Sequence, residues 1–304
     1  MKILLASPRG FCAGVNRAIS TLHEALKRYG APLYVFHEIV HNTGVVRYFR
    51  ERGVRFVDSL EEVPDGATLL YSAHGVSPEV RKLAQRKNLQ TVDATCPLVA
   101  KIHDQAIRLA RDGVQIVLIG HRGHDEIVGI VGEAPESIHV ICSPNEIQSL
   151  SLDPTRKTAY LTQTTLSVTE AQEIIEELKR RCPEILEPQS SCICFATQNR
   201  QRAVRELAPR ADMVLIVGSA TSSNSQRLKE LAQTQGVPAH LVDGAEELEF
   251  EWFAGVETVL ISAGASAPEQ TVQSVVSRIR AEFEAVVESC EICTETLQFR
   301  LPEI

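Results

Sequence analysis

Eight cysteines stand in this chain of 304 residues, and three of them, Cys12, Cys96 and Cys194, fall at comparable intervals. A thiolate can ligate a soft metal or an iron–sulfur cluster, attack an electrophile, or pass electrons through a disulfide. The intervals suit three similar modules that each offer one thiolate from a loop. A cysteine at a strand end is also a good small core residue, so spacing alone leaves the three as candidates. Cys142 follows a strand-like run too, Cys182 precedes Pro183 where a helix should end, and Cys192 competes with Cys194 two residues away. Cys290 and Cys293 form one C-x-x-C, which without a second pair is weak support for zinc or a redox couple.

The other chemistry-bearing residues gather in loops that follow β-like runs. They include His37-Glu38-Ile39-Val40-His41-Asn42, Ala73-His74-Gly75, His121-Arg122-Gly123-His124-Asp125-Glu126, Thr162-Gln163-Thr164-Thr165 and Ala263-Gly264-Ala265-Ser266. Ligands of open parallel sheets bind beyond the carboxyl ends of the strands, so these loops together argue for one large site. The run from His37 to His41 matches the H-E-x-x-H zinc-protease pattern, which needs a helix to set both histidines on one face. Here it follows a β-like run and contains Ile39-Val40, so a strand end fits better. Ser222-Ser223-Asn224-Ser225 stands before a helical pattern at 226–233. Hydroxyls, an amide and a helix N-terminus can bind phosphate oxygens without Lys or Arg, although N-capping explains any one serine. Ser266 ahead of another helix, with His41 and His74 as donors, favours an anionic ligand. Glu126 can be a metal ligand, a solvated surface group or a proton donor. Neither G-x-x-x-x-G-K-[ST] nor G-x-G-x-x-G occurs, so NTPase and Rossmann dinucleotide chemistry lack support.

Loops placed in this way need strands and helices in alternation, and the pattern supplies them. Strands are predicted at 2–6, 32–36, 68–72, 90–93, 115–120, 139–142, 157–162, 213–218, 239–243 and 258–262. Most are Val/Ile/Leu runs without polar alternation, as parallel strands buried on both faces require. Val15, Ala18, Ile19, Leu22 and Leu26 form one helical stripe. Leu98, Val99, Ile102, Ala106 and Leu109 form another, with Pro97 in its first turn and Gly113 closing it. The expected class is α/β with right-handed crossovers, as three similar modules with mostly parallel sheets. A hydrophobic content of 44% with 23% charged residues fits a folded, water-soluble chain, long enough for two or three domains. A net charge of −8 without a basic block disfavours nucleic acid as a partner. The first residues lack the apolar run of a secretory leader, and no stretch has the apolar length of a membrane span. The expected location is therefore cytoplasmic, with no membrane partner, where cysteines serve metals, clusters or catalysis rather than disulfides.

In order along the chain, these segments resemble the family of 4-hydroxy-3-methylbut-2-enyl diphosphate reductases, iron–sulfur enzymes of the non-mevalonate isoprenoid pathway. The likeness begins at Pro8-Arg9-Gly10-Phe11-Cys12-Ala13-Gly14-Val15 and continues through Glu38-Ile39-Val40-His41-Asn42, Ser72-Ala73-His74-Gly75-Val76 and Asp93-Ala94-Thr95-Cys96-Pro97. It goes on through Thr162-Gln163-Thr164-Thr165-Leu166-Ser167, Ala196-Thr197-Gln198-Asn199-Arg200 and Ser222-Ser223-Asn224-Ser225 to Ala263-Gly264-Ala265-Ser266-Ala267-Pro268. The resemblance implies one 4Fe–4S cluster per chain, held by Cys12, Cys96 and Cys194, with one iron lacking a protein ligand. It implies diphosphate contacts from His41, His74, His124, Ser222, Ser223, Asn224 and Ser266, proton delivery by Glu126, and Thr164 beside the substrate hydroxyl. It also implies α/β modules at 14–96, 97–193 and 194–281 around a central cluster. The N-terminal strand, 1–13, would join the third module and 282–304 would be a C-terminal tail. Family members often have Pro at the position of Asp125, and Cys290 and Cys293 lie outside the family pattern.

The implied reaction removes the allylic hydroxyl of a small-molecule diphosphate, using two electrons and two protons, to give isopentenyl and dimethylallyl diphosphate. Since no flavin or nicotinamide motif is present, electrons would come from an external donor such as ferredoxin or flavodoxin. Two rivals belong to other classes. One is a zinc-dependent hydrolase at His37, Glu38 and His41; the other is a non-catalytic iron–sulfur or phosphate-binding protein.

Overall fold

Apolar runs become strands here because both faces of each sheet find apolar cover. The computed structural model describes residues 1–304. The chain opens with β1 (Lys2–Ser7) and α1 (Ala13–Tyr29). Then come β2 (Leu33–Phe36), α2 (Thr43–Arg50), β3 (Val54–Val57), β4 (Thr68–Tyr71), α3 (Pro78–Arg86) and β5 (Gln90–Asp93). The middle holds α4 (Pro97–Arg111), β6 (Gln115–Ile119), α5 (Asp125–Glu133), β7 (Ile138–Ile141), β8 (Thr158–Thr162) and α6 (Val168–Arg181). The last part has α7 (Phe195–Leu207), β9 (Met213–Val217), α8 (Ser223–Thr234), β10 (Ala239–Val242), β11 (Thr258–Ala263), α9 (Glu269–Phe283) and β12 (Val286–Glu291). No helix is long and apolar enough to cross a membrane.

The strands form three sheets, in the orders β10-β9-β11-β1-β12, β3-β2-β4-β5 and β7-β6-β8. Every pairing between these strands is parallel, so the fold is the expected α/β class with three parallel-sheet modules. Two compact units divide the chain. Met1–Asn16, Val40–Phe49 and Phe195–Gln298 form the first, which contains the five-stranded sheet. Arg17–Ile39, Arg50–Cys194 and Phe299–Ile304 form the second, which contains the other two sheets.

In the first unit the period of two along a strand sends successive residues to opposite cores. Ile3, Leu5, Leu215 and Ile261 pack with Val272, Val275 and Ile279 of α9. Leu4, Val214, Ile216 and Leu260 pack with Val204 and Leu207 of α7 and Leu228 of α8. Each such side chain contributes about 1.5–3 kcal/mol by leaving water, which is why β9 is apolar throughout. The three-stranded sheet of the second unit is built the same way. Ile116 and Leu118 face Ile102 of α4 with Ile127 and Ile130 of α5, while Val117 and Ile119 face Ile174 and Leu178 of α6.

Three sequence readings are corrected, and a fourth is kept. The segment from 282 onward is not simply a tail, because β12 pairs in parallel with β1, and Ile292 N–H donates to Ser7 O at 2.8 Å. β3 was also outside the predicted strands and pairs with β2. The helix expected at 226–233 begins at Ser223, since the Ser222 hydroxyl accepts the Ser225 N–H and caps it. Finally, residues 37–41 form no helix, so the one-turn spacing on which a zinc-protease motif depends is missing. The zinc-hydrolase reading loses its geometric basis.

The first unit also buries an arginine. Arg200 is 1% exposed; its Nη1 donates to both carboxylate oxygens of Glu295 at 3.0 and 3.2 Å. Nε and Nη2 donate to Gly10 O at 3.2 and 2.8 Å, tying the stretch after β12 to the loop that carries Cys12. Arg200→Met should lower stability by about 3 kcal/mol, because Glu295 and a buried carbonyl both lose their partner. Thermal unfolding measures this, and an unchanged midpoint would exclude the anchoring role.

Candidate active site

The first unit presents Cys12, the serine-rich turn and Ser266 from the loops that follow β1, β9 and β11, and it includes His41 just ahead of α2. After β1 the chain turns at Gly10, whose φ of +67° suits glycine and where a Cβ would lie 3.1 Å from Ala267 O. Cys12 N–H then donates to Ala265 O at 3.1 Å, and its sulfur accepts Val15 N–H at 3.4 Å at the start of α1. The neighbouring Ser266 hydroxyl donates to His41 O at 2.8 Å and lies 3.4 Å from Ser222 Oγ. His41 is held from its other side as well. Asn42 Oδ1 accepts Val45 N–H at 2.9 Å, and Thr43 N–H donates to Ser219 Oγ at 3.0 Å. Asp243 accepts the Ser219 hydroxyl at 2.7 Å and also the Thr43 hydroxyl.

Asn224, in the first turn of α8, is 3% exposed, and neither the oxygen nor the nitrogen of its carboxamide has a hydrogen-bond partner. Buried amides in native proteins are nearly always paired, so this one is in the state that a polar ligand would satisfy. The helix N-terminus beside it supplies the partial positive charge that favours an anion.

The second unit positions the other residues. His74 follows β4, and the preceding carbonyl, Ala73 O, accepts Cys96 N–H at 3.0 Å, which joins the His74 and Cys96 loops. Cys96 is the N-cap residue of α4, and Pro97 occupies the first turn where its missing N–H costs nothing. His124 caps α5, its Nδ1 accepting Glu126 N–H at 3.2 Å, and its ring stands edge-on to that of His74 with centroids 5.7 Å apart. Asp125 places Oδ1 2.6 Å from His37 Nδ1 and Oδ2 3.8 Å from His74 Nδ1. That bond to Asp125 outweighs burial and holds the His37 imidazole above its usual pKa.

Glu126 is 1% exposed. Its Oε1 accepts Thr164 N–H and its Oε2 accepts the Thr164 hydroxyl, both at 2.7 Å. Thr164 O in turn accepts Cys194 N–H at 3.1 Å. A carboxyl group, a hydroxyl and the backbone of a cysteine are thus joined inside one unit. The fully buried Gln163 fixes the same loops: its Oε1 accepts His121 N–H at 3.0 Å and its Nε2 donates to Thr165 Oγ1 at 2.9 Å. Sequence reasoning quoted Gln163 and Arg200 within motifs and assigned neither a role. A long polar side chain amid residues of buried pattern was the available signal.

The remaining thiols are placed differently. None of the eight cysteines forms a disulfide. Burial pushes the Cys192 thiol up against an opposing hydrogen bond from the Thr162 backbone, and nearby Glu126 adds to the rise. Burial likewise pushes up Cys290, on edge strand β12. Cys142 donates its S–H to Gly120 O at 3.0 Å.

Known proteins resemble this chain over nearly its whole length. The family model described as LytB protein matches residues 3–280. A relative named 4-hydroxy-3-methylbut-2-enyl diphosphate reductase, from Rhodopirellula baltica, is 53% identical over 303 residues, covering 100% of this chain and 95% of its own. One of the same name from Nocardia farcinica is 49% identical, covering 99% and 90%. A solved structure of the E-1-hydroxy-2-methyl-but-2-enyl-4-diphosphate reductase from Plasmodium falciparum superposes with a TM-score of 0.97 at 38% identity, over 99% of this chain and 95% of that one.

Proposed function

Since this chain is a reductase that belongs to the LytB protein family, we propose that it converts 4-hydroxy-3-methylbut-2-enyl diphosphate to isopentenyl and dimethylallyl diphosphate. The observation that carries this reading is the buried Glu126–Thr164 pair, whose backbone bond reaches Cys194. Expelling hydroxide requires an acid, and here a carboxyl group is held next to a hydroxyl whose own backbone meets that of Cys194.

Cys12, Cys96 and Cys194 would hold a 4Fe–4S cluster, one per chain, leaving one iron without a protein ligand. The donor set suits such a group: three cysteines outside any disulfide, each in the loop just before a helix, at the starts of α1, α4 and α7. When bound, such a cluster supplies electrons and a Lewis-acidic iron. The remaining chemistry belongs to side chains. His41, His74 and His124 donate to the diphosphate, with the hydroxyls of Ser222, Ser223 and Ser266 and the unpaired amide of Asn224. Protonated Glu126 gives its Oε2 proton to Thr164 Oγ1, and the hydroxyl passes its own proton to the departing substrate oxygen, which leaves as water. The second proton ends on carbon, and two electrons from an external donor such as ferredoxin or flavodoxin complete the balance. A cytoplasmic setting suits such a donor.

Iron and sulfide analysis on anaerobically purified protein, with an absorption spectrum and a reductive assay, tests the proposal. The expected result is an iron–sulfur chromophore and reductant-dependent formation of both products. Zinc in place of iron, or a stable cluster with no turnover, would overturn it. The anion site has its own test. Single alanine substitutions of His41, His74 and His124 should each weaken diphosphate binding by roughly ten- to a hundredfold while the spectrum is kept, the worth of one charge-assisted hydrogen bond. Unchanged affinity in all three would remove these histidines from the site.

A further inference from the structure

His103 lies on α4 inside the second unit and is 6% exposed. Its Nδ1 is 2.8 Å from Glu133 Oε1, and Arg81 Nη2 donates to that same oxygen at 2.6 Å. Glu133 is the last residue of α5, whose first turn carries Glu126 behind its His124 cap. Arg81 Nη1 also donates to Val76 O at 2.9 Å, two residues beyond His74. One buried carboxylate therefore ties α4 to α5 directly and to the His74 segment through an arginine.

The imidazole itself fills a slot between two glycines. A Cβ at Gly75 would lie 3.0 Å from His103 Nε2, and one at Gly129 would lie 3.1 Å from its Cε1. Gly75 follows His74 with a φ of +77°, and Gly129 is three residues beyond Glu126 in the interior of α5, where glycine is a poor helix former. His103 Nε2 is buried without a hydrogen-bond partner. Leucine would fill the slot and strand no polar atom, so packing alone does not explain a histidine. What the imidazole adds is the Nδ1 bond, which locks a flat ring at a fixed angle between the His74-Gly75 turn and α5.

We propose that His103 is a positioning residue that sets the spacing between the His74 turn and the helix bearing His124 and Glu126. It acts on substrate only through those three, so the inference rests on the roles proposed for them. Gly129 leaves room for the ring by lacking a Cβ, and Gly75, which its positive φ already favours as glycine, leaves room on the other side.

The test uses the holoenzyme with two variants. His103→Leu keeps bulk but loses the anchor to Glu133. His103→Asn keeps a nitrogen near the Nδ1 position, and with it the anchor, but loses the ring. Per bound cluster, His103→Leu should lower kcat and raise KM, together costing about ten- to a hundredfold in kcat/KM, the usual effect of a misplacement near 1 Å. His103→Asn should lose clearly less. Amide hydrogen exchange, which needs no turnover, should quicken at 72–77 and 124–130 in His103→Leu, with β9 of the first unit unchanged. Kinetics within twofold of wild type per cluster in both variants, equal losses in the two, or unaltered exchange at these segments would each overturn the proposal. If His103→Leu does not fold, the Asn variant decides alone, by faster exchange at the same segments against none. Wild-type protein without reductase activity would defeat the functional reading instead, and the exchange measurement would still decide the role of His103.

Discussion

Replacing Cys194 by serine is expected to abolish turnover and strip the protein of iron, while Cys192→Ser should leave the iron content near that of wild type. The two residues are separated by one position, yet their surroundings differ in kind. Cys194 immediately precedes α7 and is fixed through its N–H to O of Thr164, the residue that Glu126 holds. Cys192 is buried, and burial holds the proton on its sulfur, so the thiolate that a cluster requires is disfavoured there. Serine offers a hard oxygen with a much higher pKa, a poor substitute for a soft ligand. Cys12→Ser and Cys96→Ser should behave like Cys194→Ser, and Cys142→Ser and Cys290→Ser like Cys192→Ser. Iron and sulfide content with the visible spectrum checks all six. A full, stable cluster in Cys194→Ser together with loss in Cys192→Ser would reverse the assignment.

In Glu126→Gln the cluster should assemble and substrate should bind, but reduction is expected to slow by about 10²–10⁴-fold, the range of general acid catalysis. Glutamine keeps the oxygen that accepts Thr164 N–H, and the Thr164 hydroxyl can turn to accept from the new amide, so the local fold survives. What is lost is the acidic proton. Departure of hydroxide should place the effect near the upper end of that range. Two readings with a strong chemical reductant separate the roles: the change in the cluster spectrum on adding substrate, and the steady-state rate. Normal turnover would end the proton-donor role. Loss of the spectral change would make Glu126 a binding residue instead.

All ten strands predicted from apolar runs are present, with ends shifted by a residue or two, as at Ile138–Ile141. Parallel strands covered on both faces are largely apolar, so 213–217 and 116–119 carry their own signal. Helix starts were legible where a cap or a first-turn proline marks them, as at Pro97, and less so at Ser223, whose serine run resembles a loop. β3 and β12 are edge strands whose sequences, Val54–Val57 and Val286–Glu291, mix in charged residues and so lack a clear apolar run. Arg55, Glu288 and Glu291 face solvent or its margin there, and the partners that make these segments strands are supplied by β2 and by β1 at the far end of the chain.

Residue type and order by themselves determined the α/β class, the loops that carry chemistry, and the likeness to a reductase family, since these depend on local composition and on motifs of a few residues. Tertiary structure alone decided which groups meet. Glu126 and Thr164 are 38 residues apart, and Arg200 and Gly10 are 190 apart. No periodicity predicts such pairs, because each depends on the register that brings two strand ends side by side. The state of Cys192 likewise follows from burial that a run such as Ser191-Cys192-Ile193-Cys194 does not reveal. Only packing distinguishes two neighbouring thiols of identical chemistry.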